Sequence, residues 1–417
     1  MTRNKKDGPL QICLLTYRGN PTCGGQGIYI KYLSEALKCL GHQVDVLSGP
    51  PYPVLADGIP LHKLPGLDLY NPDHLFKVRD IRELASPVNQ FEFISMCAGG
   101  FPEPFTFGIR ARRYLSKSDK RYDIIHDNQS LSYGLLGIAS MGFPTVTTIH
   151  HPITVDRDTE IREAGSLLGK LKVRRWYAFL AMQKRVSRRL SHIITVSICS
   201  QKDISRAFRI LPQRFRVVPN GINTDYFYPL KGIKRAQNQL LVTSSADTPL
   251  KGLRYLLEAV AAIRKEREIS VMVIGKPKKD GVIEQLVRDL ALGDAVTFTG
   301  RIEHEDFARR YAETTMAVIP SLYEGFGMPA GEAMACGVPV VSTSGGALPE
   351  VVGDAGILVP PADSGALRNA IVGLLDDPER RKRMGKAGLE RVANSLTWRH
   401  AAEKTVSVYR EAIDAHR

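Results

Sequence analysis

The 417 residues contain no run of 18 apolar side chains, so no helical membrane span is expected. The opening stretch MTRNKKDGPLQ has no apolar signal core before the first strand-like run, and a cytoplasmic location is the expectation. The six cysteines (Cys13, Cys23, Cys39, Cys97, Cys199 and Cys336) include no C-x-x-C pair. That spacing argues against zinc and against a disulfide framework, and for a reducing compartment. Acidic residues are missing from 167–190, which holds eight Lys and Arg among its apolar residues. The net charge of +14 is uneven: residues 1–220 carry 31 Lys and Arg against 18 Asp and Glu, and residues 221–417 carry 26 against 25. Such a half suits anionic lipid or an acidic acceptor, or is simply a solvated basic surface; no nucleic-acid partner is expected.

What is present is an α/β pattern too long for one ordinary domain. It is organised around 321–360, SLYEGFGMPAGEAMACGVPVVSTSGGALPEVVGDAGILVP. Two acids, Glu324 and Glu332, lie eight residues apart across Gly325-Phe326-Gly327-Met328-Pro329, a turn leading into a helix. Pro329 suits a first helical position, where its missing N–H costs nothing. Gly337 stands where a helix C′ glycine belongs, before a short buried strand at 338–342. The amides of Phe326, Gly327 and Met328 would form a positive helix N-terminus able to take an anion. That layout suits a nucleoside diphosphate, with amides for the phosphates and carboxylates for sugar hydroxyls. An isolated E-x7-E more often marks a strand–turn–helix unit with surface acids; the flanking residues decide otherwise.

The string as a whole resembles the signature of the retaining glycosyltransferases of the large "group 1" family (family 4), which have the GT-B fold. The resemblance implies two Rossmann-like, doubly wound parallel-sheet domains facing a cleft. It puts an acceptor-side domain at 1–220, a nucleotide-sugar domain at 221–397, and a C-terminal helix at 398–417 that crosses back to the first domain. The residues agree with alternating strands and helices. Strand-like runs fall at Leu10–Tyr17, Val44–Leu47, Tyr122–His126, Thr145–His150, Ile193–Ser197 and 216–221 in the first half. In the second half they fall near 239–244, 270–275, 295–299, 315–319, 338–342 and 356–359. From Gly49 to about Glu103 the chain reads as irregular, broken by eight prolines, with Phe91-Glu92-Phe93 and Phe101–Phe107 as apolar acceptor contacts or as packed loop.

The resemblance also assigns roles. Gly24 and Gly25, in the glycine-rich turn after the first strand, face the donor diphosphate. His150, after the strand at 145–150, lies close to the transferred sugar. His126 and His151 stand at the same strand ends and are acceptor-side candidates. Lys251 binds the donor phosphates, Gly275 lets the chain turn beside the nucleotide, and the stretch containing Arg301 and Ile302 contacts the base. Glu332 accepts from the ribose hydroxyls. Glu324 and the turn residues Gly325, Phe326, Gly327 and Met328 meet the donor sugar and phosphates. The catalytic set is therefore His150, Glu324 and Lys251. The chain departs from the family at one point: an arginine usually stands about five residues before the lysine, and Ala246 or a neighbouring serine occupies that place. Arg254, Lys276 or serine hydroxyls are the substitutes the sequence offers.

The expected reaction is metal-independent transfer of a hexosyl unit from a nucleoside diphosphate sugar, a UDP-sugar first, to a sugar, lipid or small-molecule acceptor hydroxyl. The anomeric configuration is retained and no cofactor is needed. Asp156-Arg157-Asp158 matches a metal-binding D-x-D, a pattern too short to carry a metal site. Residues 167–190 read as one basic helix, with Trp176, Tyr177, Phe179, Leu180 and Met182 either packed in the core or part of a peripheral contact with the inner face of an anionic membrane. Two other classes stay open. A non-catalytic nucleotide-sugar or glycan-binding protein would explain the missing arginine. An NAD-dependent oxidoreductase would use Gly25-x-Gly27 but leaves the paired glutamates unexplained.

Overall fold

The computed structural model describes residues 8–20, 25–71, 75–78, 80–244, 247–300 and 302–416. The chain divides into two compact units. The first takes the described residues up to Val196, then Ser200–Val218 and the chain from Ala401 onward; the second takes Ser197–Cys199 and Pro219–His400.

The first unit is built on a parallel sheet of β1 (Gln11–Thr16), β2 (Gln43–Ser48), β3 (Leu61–Lys63), β4 (Ile124–Asn128), β5 (Thr145–Ile149), β6 (Ile193–Thr195) and β7 (Phe215–Val217). Their order is β3-β2-β1-β4-β5-β6-β7. Every residue of β4 is buried, as a central parallel strand covered on both faces requires. The order reverses direction between β1 and β4, and in such sheets ligands bind beyond the carboxyl ends of the strands at that switch.

The second unit repeats the plan with β8 (Gln239–Thr243), β9 (Ser270–Ile274), β10 (Val296–Phe298), β11 (Met316–Ile319), β12 (Val340–Thr343) and β13 (Ile357–Val359). All are parallel, in the order β10-β9-β8-β11-β12-β13, so the switch falls between β8 and β11. The helix Leu253–Ile263 lays Leu256, Leu257, Val260 and Ile263 on the sheet beside Leu240, Val271 and Val318. These are the two Rossmann-like, parallel-sheet domains that the alternating pattern implies.

Two stretches differ from the sequence reading. The proline-rich region 49–103 is not irregular throughout. It contains β3 and the helix Pro87–Cys97, and the helix Glu103–Lys117 begins at its end. Pro87 and Pro104 stand in the first turns of these helices, so residues that read as breakers are helix starts. The run 167–190 is not one helix. Leu167–Trp176 is followed by a 3-10 turn, Tyr177–Phe179, and then the helix Leu180–Ser187. Three aromatics within four residues cannot share one face of a straight helix. The tighter turn lets Trp176 and Phe179 meet Phe101, with ring centroids 5.2 and 5.4 Å away, while Tyr177 and Leu180 enter the core. The aromatics are therefore core residues. Leu167, Leu168 and Leu171 are 80%, 73% and 58% exposed. Among the described residues no helix is long and apolar enough to cross a membrane.

Candidate active site

In the second unit, Lys251 and Glu324 follow β8 and β11, the two strands that flank the switch. Lys251 Nζ lies 2.7 Å from Glu324 Oε1, and Ser321 Oγ donates to the same oxygen at 2.8 Å. The backbone of Glu324 is fixed as well: its carbonyl accepts from Ala347 N at 2.8 Å. Gly346, at φ +64°, presses so closely that an added Cβ would sit 2.2 Å from the Glu324 oxygen.

Gly325, Phe326 and Gly327 carry the chain from Glu324 into the helix Met328–Ala335. Gly327, at φ +108°, is its N-cap, and the first-turn amides open out of that end. The far end closes on Gly337 at φ +66°, with Gly337 N bonded to Met334 O at 2.9 Å and Val338 N to Ala333 O at 3.0 Å. This helix carries Glu332. Its carboxyl keeps some accessible surface in densely packed surroundings. Burial pushes it up to about 7, against the pull of Lys251. Lys251, Glu324 and Glu332 thus gather around one site.

Gly275 ends β9 at φ +152°, and its amide neighbour across the sheet, Gly300, bonds to the Gly275 carbonyl at 3.2 Å. Ile302 follows, half-buried; Arg301 lies outside the described residues. So does Ala246, with Ser245, at the place where the family carries its second cation. Of the proposed substitutes, Arg254 turns to Glu258 at 2.8 Å on the outside of its helix, and Lys276 is exposed.

In the first unit, Gly25 opens the helix Gly25–Cys39, and a Cβ there would meet no atom of the described residues within 4 Å; Gly24 lies outside the described residues. His150 follows β5. Its Nε2 is 2.8 Å from Asn128 Oδ1, its backbone N–H donates to Gln129 Oε1 at 2.8 Å, and its ring packs edge-on against Tyr29 at 4.6 Å. With Asn128 accepting, Nε2 bears the hydrogen and Nδ1 keeps a lone pair. Burial, with His151 and His126 nearby, pushes the imidazole down to about 3, so it is neutral at physiological pH.

His126 is different. It is 1% exposed, and both ring nitrogens are engaged, with Tyr409 Oη at 2.6 Å and Thr148 Oγ1 at 2.7 Å. No nitrogen remains to offer an acceptor; the ring ties β4 to β5 and to the helix Trp398–His416. His151 is half-exposed and pairs with Asp156 at 3.0 Å, while Arg157 holds Asp158 at 2.7 Å, so both acids of the D-x-D are engaged. Of the aromatics considered for acceptor contact, Phe107 is 3% exposed in the core and Phe93 and Phe101 pack with Tyr70. Phe91 is 49% exposed.

Asn128 and Gln129 are functional candidates that the sequence reading missed. Strand β4 runs two residues beyond His126, which moves the histidine to mid-strand and puts Asn128 and Gln129 at the carboxyl end. Gln129 and Leu131 have φ of +55° and +47°, a strained turn held by the buried Asp127, which accepts from Leu131 N and Thr147 Oγ1 at 3.0 Å each. The signal available was the polar run Asp127-Asn128-Gln129-Ser130, which reads as loop. Ser321 and the Gly345-Gly346 doublet were also passed over, though they lie within the organising string.

The model of the family described as "Glycosyltransferase Family 4" matches residues 23–226, and that described as "Glycosyl transferases group 1" matches residues 237–377. The chain is 43% identical to an MMP alpha-(1->4)-mannosyltransferase of Mycolicibacterium hassiacum, over 97% of this chain and 98% of that one. It is 27% identical to a D-inositol 3-phosphate glycosyltransferase of Streptomyces avermitilis, over 98% and 89%. Among solved structures, a sucrose-phosphate synthase from Thermosynechococcus elongatus superposes with a TM-score of 0.73 at 27% identity, covering 97% of this chain and 99% of that one.

Proposed function

Because the chain belongs to the group 1, family 4 glycosyltransferases, with their GT-B pair of Rossmann-like domains, we propose that it moves a hexosyl unit from a nucleoside diphosphate sugar to an acceptor hydroxyl with retention of configuration. The observation that carries this reading is the Lys251–Glu324 pair at the switch point of the second sheet, beside an open helix N-terminus and with Glu332 on that helix close enough to feel the Lys251 charge.

In the reaction, the bond from the anomeric carbon to the diphosphate oxygen breaks. The acceptor oxygen bonds to the same face, and its proton passes to the departing phosphate. The charge that develops on the diphosphate is met by the Lys251 ammonium and the amides of Phe326, Gly327 and Met328. Electrostatic stabilisation of this kind is commonly the largest catalytic contribution. Glu324 takes the donor sugar hydroxyls and Glu332 the ribose. Gly275, Arg301 and Ile302 line the base, Gly24 and Gly25 face the phosphates, and His150 lies by the transferred sugar. Donor recognition is assigned to residues 221–397 and acceptor recognition to residues 1–220. The proposed transfer is metal-independent, with Lys251 and the helix amides meeting the departing charge. The relative named for α-(1→4)-mannosyl transfer makes mannose the first sugar to test; UDP is the first nucleotide. Peripheral contact with an anionic membrane is assigned to the helix Leu167–Trp176, where the three exposed leucines stand among Lys170, Lys172, Arg174 and Arg175. Failure to sediment with anionic liposomes at low salt would remove that contact.

The test is donor turnover followed by proton NMR, with EDTA present and absent, against UDP-, GDP- and ADP-sugars. The first sugar released or transferred should keep the donor's α configuration in either buffer. Inverted product would overturn retention, and binding with neither transfer nor hydrolysis would favour a non-catalytic sugar-nucleotide receptor.

A further inference from the structure

One cavity of the first unit is lined by none of the residues assigned to the donor. The helix Thr154–Glu163 and the stretch from Arg174 to Lys184 border an open groove of about 1010 Å³. Among the described residues, Arg157, Arg162, Arg174 and Lys184 line it against one acid, Asp158, and Asp158 is already held by Arg157 at 2.7 Å. Arg162 donates only to Thr159 Oγ1 at 3.1 Å, and the Lys184 ammonium lies 5.8 Å from the centre of the Phe208 ring. Among the described side chains, Arg162, Arg174 and Lys184 have no carboxylate at ion-pair distance. Burial, with Arg157 and Arg188 close by, draws the Lys184 ammonium below its ordinary range. Asp158 offsets only part of this charge; like charges in excess repel, and an anion bound among them would relieve the repulsion.

The rest of the lining is apolar, with Val155, Ile161 and Leu180 among it. A second basic groove, beside Gly337 in the other unit, makes the contrast. There Arg235 spends its guanidinium on the carbonyls of Thr314 and Gly337 at 2.9 and 3.1 Å, and Arg381 on Leu374 at 2.7 Å. Those cations are structural; Arg162, Arg174 and Lys184 make no such bonds to carbonyls among the described residues. The volume is that of a small-molecule site rather than of a lone ion.

We propose that this groove binds a phosphate-bearing amphiphile, its phosphate among Arg162, Arg174 and Lys184 and its apolar part along Val155, Ile161 and Leu180. None of its lining residues is assigned to the donor, and the proposal does not rest on the transferase reading.

Calorimetry on the full chain tests it with three probes: octyl phosphate, inorganic phosphate and octyl glucoside, which has the same tail without charge. Sedimentation with phosphatidylglycerol or phosphatidylcholine vesicles forms a second arm. Two variants accompany the wild type, the double substitution Arg174→Gln with Lys184→Met and the milder Arg162→Gln. Saturable binding of octyl phosphate is expected, at least tenfold tighter than inorganic phosphate. It should weaken at least tenfold in the double variant and measurably in Arg162→Gln, with nucleotide binding unchanged in both. If only the phosphatidylglycerol arm shows this dependence, the phosphate is a lipid headgroup at a surface; if only the soluble arm does, it belongs to a free ligand. Binding in neither arm overturns the proposal, as does equal affinity for octyl glucoside. So does wild-type affinity in a folded Arg162→Gln, whatever the double variant does to folding.

Discussion

Lys251 and Glu324, 73 positions apart in sequence, meet at 2.7 Å because their loops leave the two strands that flank the switch point of the second sheet. The pair holds a cation in place before any donor arrives, at the end of the sheet where the helix amides also point. A diphosphate would share that cation, so Lys251→Met should cut kcat by roughly a hundredfold to a thousandfold, the usual loss when one preorganised charge-stabilising donor is removed. Steady-state kinetics with saturating donor measures it.

Glu324 is held by Lys251 and Ser321 together, and it should act on the transferred sugar rather than on nucleotide affinity. Glu324→Gln is expected to lower kcat well beyond any rise in donor KM. Ser321→Ala removes one neutral hydrogen bond to the same oxygen, worth about 1 kcal/mol, and should cost several-fold in kcat. Equal binding and turnover in Glu324→Gln would contradict the role.

Glu332 carries a folded-state carboxyl near 7, raised by burial from an ordinary value of 4.5. The folded protein therefore binds the proton more tightly than the unfolded chain. Stability should fall as pH rises from the ordinary value to about 7 and change little from this source above it. Glu103, which burial lifts to about 8, acts in the same direction, so the comparison that isolates Glu332 is the difference from Glu332→Gln. That difference in Tm should shift in favour of the variant between pH 5 and pH 8. The same substitution removes a charged acceptor worth ~1.5–3 kcal/mol, raising donor KM by roughly tenfold to a hundredfold.

The glycines divide by what a methyl group would meet. Gly346→Ala places Cβ against the Glu324 carbonyl at a left-handed φ and should destabilise by about 2–4 kcal/mol. Gly25→Ala meets no atom of the described residues within 4 Å, so it should leave Tm within a degree or two of wild type while raising donor KM. Thermal melts and donor titrations of both variants check the contrast.

His150 is neutral at working pH, with its Nε2 hydrogen on Asn128. The pH profile of kcat should then show no imidazole titration between pH 5.5 and 8. Asn128→Ala, which frees the ring, should lower kcat and cost about 1–3 kcal/mol of stability, because Asn128 is buried and its partners are left unpaired. Loss of an acidic limb near pH 6.5 in His150→Gln would show that the ring does titrate.

Much of this could be read from the sequence, and the misses have physical causes. The Glu324–Glu332 string is local: turn, cap, helix and C′ glycine follow one another, so spacing alone located them. Family likeness gave Lys251 and Glu324 a common donor, but their direct pairing was not legible, because nothing in a chain reveals which strands flank a switch. His126 was misplaced because polar residues after it hid the last two residues of a buried strand. In parallel sheets a strand's end is set by its neighbours' register, here Asp127 and Asn128 against Leu15 and Thr16. Pro87 and Pro104 concealed helices because proline marks a first turn as readily as a break. The run 167–190 looked continuous because charge and helix propensity persist through Trp176, where aromatic packing turns the chain.

The central claim is that Lys251 and the helix amides hold the diphosphate of a sugar nucleotide while Glu324 and Glu332 take hydroxyls of its sugar and its ribose. Calorimetric titration of the wild-type chain, Lys251→Met and Glu332→Gln with UDP, GDP and ADP tests it most directly. One nucleotide should bind the wild type saturably and lose at least tenfold in each variant. Absence of binding by all three, or affinity indifferent to both substitutions, would contradict the account.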